Sequence, residues 1–172
     1  MRRRAGLVVL TCVVILLVVA IAAFQFNPSA VPEPGRLETF VANTGLRLLV
    51  WREARRETIP PAPANRQASI EEGDKLFGLE CADCHGNDGH SPTDEGRWMY
   101  PRAANLISKQ VQRYSDRELF AMIKNGVRLS GMPAFARVET DEHIWNIVHY
   151  LRKLPAGVPD AGSAGTAPKD GK

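Results

Sequence analysis

Cys81-Ala82-Asp83-Cys84-His85 decides what kind of fold this 172-residue chain needs. Two thiols three residues apart share one helical turn, and an imidazole follows at once. Such a turn brings both sulfurs to the edge of a porphyrin, where they form thioethers at its two vinyl positions. His85 then reaches beneath the ring to the iron. Two other chemistries use similar residues. A zinc site would draw on Cys81, Cys84, His85 and His90, but adjacent Cys84 and His85 fit poorly in one tetrahedral shell, and no second C-x-x-C exists. A dithiol redox site would leave His85 without a role, and the β-α-β pattern of such sites is missing. One covalently attached haem c is the expectation.

Working outward, the flanking sequence reads as helices. Ser69 followed by Glu72 predicts a capping-box start for a helix that runs through Phe77 to the motif. Ser115 with Glu118 repeats the signature, and Asn125-Gly126 closes that helix with residues that tolerate a left-handed backbone. Thr140 caps a third helix over 141–154, with Asp141 and Glu142 at its positive end and Arg152 and Lys153 at its negative end. No segment alternates as a strand, so the domain over 69–155 is expected to be all-α.

A second axial ligand is sought in the same domain. Gly131-Met132-Pro133 lies in a loop between the second and third helices. Proline stiffens that loop and glycine lets its backbone come close to a ring. Met132 is therefore the expected ligand. Met99 follows His85 too closely, and Met122 on a helix face reads as core packing. His90, His143 and His149 offer bis-histidine alternatives, but His90 sits in a Gly-rich loop and the other two on the third helix.

Upstream, Arg2, Arg3 and Arg4 precede 20 uncharged residues over 5–24. As a helix these span roughly 30 Å, the thickness of a bilayer's hydrocarbon core. Clustered arginine before the block places 1–4 in the cytoplasm and everything after 24 outside it. Ala20-Ile21-Ala22 also fits a signal-peptidase site. The block is longer than a usual signal core, so an uncleaved transmembrane anchor is expected, and either reading exports the domain. Cys12 lies mid-block, where lipid modification does not fit.

The connector over 25–68 begins with three prolines and contains a helical stretch at 36–57. There Leu37, Phe40, Val41, Thr44, Leu48 and Trp51 share one stripe, while Leu46, Leu49 and Val50 lie off it. With Arg52, Arg55 and Arg56 at its end, this helix suits a membrane surface or a partner as well as its own domain. The tail over 156–172 has little to bury and is expected to be disordered. Between positions 66 and 153 there are 12 basic and 13 acidic residues. That near-neutral balance, without a basic stripe, excludes nucleic-acid binding.

The stretch 69–155 resembles a class I cytochrome c domain of the bacterial single-haem kind. Cys84-His85-Gly86-Asn87-Asp88-Gly89 and Ser130-Gly131-Met132-Pro133-Ala134-Phe135 match that family's haem and methionine loops. Gly73 and Phe77 keep its spacing to Cys81, and Ile147 and Tyr150 match the facing positions of its C-terminal helix. Tyr100-Pro101-Arg102 resembles its Y-P-R segment, which implies a backbone that orients His85 and a pairing of Arg102 with a haem propionate. The resemblance implies a cytochrome c fold and one-electron transfer with His85/Met132 ligation, not enzymatic turnover. Together with the anchor, it places a haem domain on the periplasmic side of a bacterial inner membrane. The expected partners are a redox donor and acceptor within an electron-transport chain. Alternatives are a subunit of a membrane dehydrogenase or oxidase complex, or a gas sensor that releases Met132.

Overall fold

The computed structural model of the chain describes residues 2–24, 29, 32, 34–90 and 92–155. Among these residues there are α-helices and no strand, as the all-α expectation requires. In chain order they are α1 (Arg2–Phe24), α2 (Arg36–Arg56), α3 (Arg66–Glu80), α4 (Ala82–His85), α5 (Asp94–Trp98), α6 (Lys109–Gln112), α7 (Asp116–Asn125) and α8 (Asp141–Lys153). A 3-10 turn, Phe135–Arg137, precedes α8. The chain divides into two compact units, residues 1–33 and residues 34–172. The expected disordered tail and much of the connector before Pro34 lie outside the described residues.

In the first unit, α1 is a continuous 23-residue helix over the arginines and the uncharged block. Among the described residues no helix is long and apolar enough to cross a membrane. The side chains of Ala5 and Val8 lie outside those residues. The transmembrane helix expected over 5–24 is therefore not established by the fold.

The second unit is organised by the crossing of α3 and α8. A Cβ built on Gly73 would lie 2.0 Å from the carbonyl oxygen of Asn146, so only glycine permits this approach. One turn on, Phe77 meets Tyr150 with ring centroids 5.1 Å apart. Phe77, Phe120, Ile144, Ile147 and Val148 are almost wholly removed from solvent. Burial of this kind contributes about 1.5–3 kcal/mol per side chain.

Two of the expected caps form as read. The Ser115 hydroxyl accepts from the Glu118 amide while the Glu118 carboxylate accepts from the Ser115 amide at 2.7 Å. The Thr140 hydroxyl accepts from the His143 amide at 3.2 Å. The Ser69 cap is a correction: α3 begins a turn earlier, where the Asn65 side chain accepts from the Ala68 amide at 3.2 Å. Ser69 is buried inside the helix, and its hydroxyl donates to Asn146 Oδ1 at 2.5 Å. With that proton spent, His149 Nδ1, 2.7 Å away, must be the donor to Ser69 Oγ.

α2 docks on its own domain, but not through the expected stripe. Val50 and Ala54 are 7% and 4% exposed and Leu46 packs on the core, whereas Leu37 and Leu48 remain 76% and 62% exposed. Polar ties hold the dock. Arg117 donates to the Ala54 carbonyl at 3.1 Å, Lys124 pairs with Glu57 at 3.1 Å, and the Trp145 indole donates to the Pro60 carbonyl at 2.9 Å.

Candidate haem site

The motif sits where α3 breaks. Cys81 closes α3 and opens α4, its amide donating to the Phe77 carbonyl at 2.9 Å and its carbonyl accepting from His85 at 3.0 Å. Gly86, with φ of 75°, ends the turn in a left-handed conformation. α5 clamps the motif from outside: the Thr93 hydroxyl donates to the Asp83 carbonyl, and its amide to the Cys84 carbonyl at 3.3 Å. A Cβ on Gly96 would lie 2.1 Å from that same Cys84 oxygen, so α5 can approach only through glycine. Thr93-Asp94-Glu95 is a cap signature that sequence reasoning could have used; Gly96 carries no such signal.

His85 Nδ1 lies 2.8 Å from the Ala104 carbonyl. A carbonyl only accepts, so the proton is on Nδ1 and the Nε2 lone pair is left for a metal. Burial pushes the His85 pKa down against the opposing pull of this hydrogen bond, keeping the imidazole neutral, as ligation requires. The orienting carbonyl belongs to Ala104, not to the Tyr100-Pro101-Arg102 segment, because the chain must run two residues further before a carbonyl meets the ring.

The methionine loop is tied locally. Ser130 Oγ donates to the Val127 carbonyl at 2.7 Å and accepts from the Met132 amide at 3.2 Å. Gly126, with φ of 68°, packs against the Pro133 backbone, where a Cβ would fall 2.7 Å from its carbonyl.

Cys81, Cys84, His85, Met132 and Arg102 all line one cleft, whose remaining wall is largely apolar. Met99 and Met122 line it too, while His90, His143 and His149 do not. His149 is engaged with Ser69, and His143 Nδ1 lies 2.6 Å from Glu139. Leu46 of α2 also reaches the wall, a contribution no local pattern announces.

This arrangement fits a haem: two thiols and an oriented neutral imidazole at an apolar cleft, with thioethers in reach along it. It does not suit the alternatives. Among the described residues no group of three or more His, Cys, Asp or Glu side chains is placed to hold a metal ion. Burial, with smaller contributions from Glu80, Cys84 and Glu139, pushes the Cys81 thiol up to about 12, the reverse of what a redox-active thiolate needs.

The family match agrees. Residues 68–151, just under half of the chain, match the family described as cytochrome c oxidase, cbb3-type, subunit III. Among solved structures, the chain is similar to one in a reducing HAO-like protein complex of Kuenenia stuttgartiensis, at 23% identity and a TM-score of 0.49. That match covers 56% of this chain and 47% of the other, so this chain spans about half the length of that relative. It is also similar to cytochrome CL of the marine methylotrophic bacterium Methylophaga aminisulfidivorans, at 19% identity and a TM-score of 0.43, covering 75% of this chain and 71% of that one. No curated protein matches.

Proposed function

Since residues 68–151 form a class I c-type cytochrome domain, we propose that the chain carries single electrons through one haem c, bound by Cys81 and Cys84 and ligated by His85 and Met132. The observation that supports this most is the convergence of those four side chains on one apolar cleft, with His85 already oriented by Ala104. The bound haem supplies a one-electron Fe(III)/Fe(II) couple, and thioether ligation raises its potential. The protein's own part is to fix and shield. Cys81 and Cys84 would hold the haem covalently, the Ala104 carbonyl fixes the His85 ring so that Nε2 would be its iron-binding atom, and Met132 would supply the second ligand. The largely apolar wall offers water few hydrogen-bonding partners. Arg102, at the rim, is suited to a propionate.

With His85 and Met132 both ligating, the iron would offer no open position to a substrate, and the role proposed is that of a carrier and not an enzyme. The uncharged block over 5–24 is read as an uncleaved anchor in a bacterial inner membrane, with the haem domain on the periplasmic side, because of its length and the arginines before it. A second reading is favoured by the family match: the chain serves as the haem c subunit of a membrane oxidoreductase complex.

The test is the full chain made in a host with haem-attachment machinery. Haem staining should survive denaturing electrophoresis in the wild type and disappear in Cys81→Ala with Cys84→Ala. Haem that dissociates on denaturation of the wild type would remove the covalent assignment. Recovery of a larger complex after mild solubilisation would move the role from free carrier to subunit.

A further inference from the structure

We propose that the exposed face of α2 rests on an anionic phospholipid surface. The helix has two apolar faces. One, through Leu46, Val50 and Ala54, is spent on the haem domain. The other is the stripe Leu37, Val41, Thr44, Leu48 and Trp51, spaced four, three, four, three, with Phe40 alongside. Its apolar members are all exposed although the domain is within reach of the same helix. Its C-terminal half borders an open hollow shared with Gln110, Tyr114 and Glu118; its N-terminal half, Leu37 to Val41, lies clear of that hollow.

Charge selects the occupant. α2 carries five arginines and two glutamates, a net charge of +3. On a helical projection Arg47 and Arg52 flank the stripe on either side, while Glu38 and Glu53 fall outside it. Arg55 lies in the stripe, its guanidinium 4.1 Å from the centre of the Trp51 ring. Apolar side chains and tryptophan bordered by arginine on both edges suit the boundary between acyl chains and anionic headgroups. A second copy of this chain would set arginine against arginine.

Chain length agrees. Residues 25–35 join α1 to α2, and 11 residues reach at most about 40 Å. If 5–24 is the anchor proposed above, this connector sets an upper limit on how far α2 can begin from the bilayer. The inference rests on that anchor for its tether, but not for its charge pattern.

The experiment uses full-length holoprotein with Cys12→Ser, carrying either Leu48→Cys in the stripe or Glu53→Cys outside it. Each variant is reconstituted in vesicles of phosphatidylcholine with or without phosphatidylglycerol, and labelling by a water-soluble maleimide is timed. With phosphatidylglycerol, the thiol of Leu48→Cys should react at least about tenfold more slowly than that of Glu53→Cys. High salt, or Arg47→Glu with Arg52→Glu, should abolish the difference. Equal rates for the two variants would overturn the proposal. So would protection of Leu48→Cys in detergent without lipid, or only when another protein is added, since something other than lipid then covers the stripe. Alkaline carbonate extraction of the same vesicles tests the anchor separately: release would remove the anchor reading, while the labelling rate of Leu48→Cys would still decide this one.

Discussion

The α3/α8 crossing and the docking of α2 are two helix contacts in one unit, held by different physics. At the crossing, a glycine brings backbone to backbone and Phe77, Ile147 and Tyr150 fill what remains. Under α2 only Val50 and Ala54 are buried, and Arg117, Lys124 and the Trp145 indole do much of the holding from the domain side. The first contact lies within the part that matches the family, whereas the second joins that part to a helix outside it. Close packing tolerates few changes, whereas polar ties to main-chain carbonyls tolerate many. An appended helix can therefore dock by one face and keep another for a different use.

That contrast sets an order of effects for unfolding of the detergent-solubilised holoprotein by denaturant. Phe77→Ala should cost about 4 kcal/mol, the usual loss for a fully buried aromatic. A cost near that of a surface change would mean that the crossing is not the core. Gly73→Ala should cost about 2–3 kcal/mol, because its Cβ must push back the Asn146 carbonyl and with it all of α8. A neutral result would show that the helices separate freely. Arg117→Ala should cost about 1 kcal/mol and mainly loosen α2, seen as faster amide exchange over Arg36–Arg56 with the α3/α8 amides unchanged. Leu48→Ser should change stability by less than about 0.5 kcal/mol, and a larger loss would mean the stripe is buried after all.

The crossing also has a pH dependence. Burial, reinforced by Arg66, pushes the His149 pKa below its ordinary 6.5, so the folded state favours the neutral ring. In the window from 6.5 downward, the unfolded chain binds the proton more readily. Stability from this group is therefore full above that window and declines as pH falls through it. His149→Gln should flatten the slope relative to wild type between neutral and mildly acidic pH. An unchanged slope would assign the dependence elsewhere.

What is legible in the sequence is mostly local. The Ser115 and Thr140 caps and the left-handed Gly126 each express a constraint carried within a few residues, whereas the Gly73–Phe77–Cys81 spacing, whose purpose is the crossing with α8, is legible only through the family resemblance. Ser69 misleads because Ser-x-x-Glu looks the same whether the hydroxyl faces its own helix end or, as here, Asn146 and His149 across the crossing. The stripe of α2 is legible as a stripe, but periodicity alone does not say which of two apolar faces meets the domain. Ala104 is invisible because its contribution is a carbonyl, which every residue has. Leu46 at the cleft wall is hidden for a different reason: tertiary docking brings it there from outside the haem domain's own sequence.

The proposed electron carrier depends on Met132, and not the neighbouring Met99 that lines the same cleft, to complete the iron's coordination. The most direct measurement is the oxidised absorption spectrum in the far red, where a weak band reports a methionine–iron bond. The band should be present in the wild type, persist in Met99→Leu and vanish in Met132→Leu, whose ferrous form should then bind carbon monoxide rapidly. A band that survives Met132→Leu, or one lost only in Met99→Leu, would contradict the assignment.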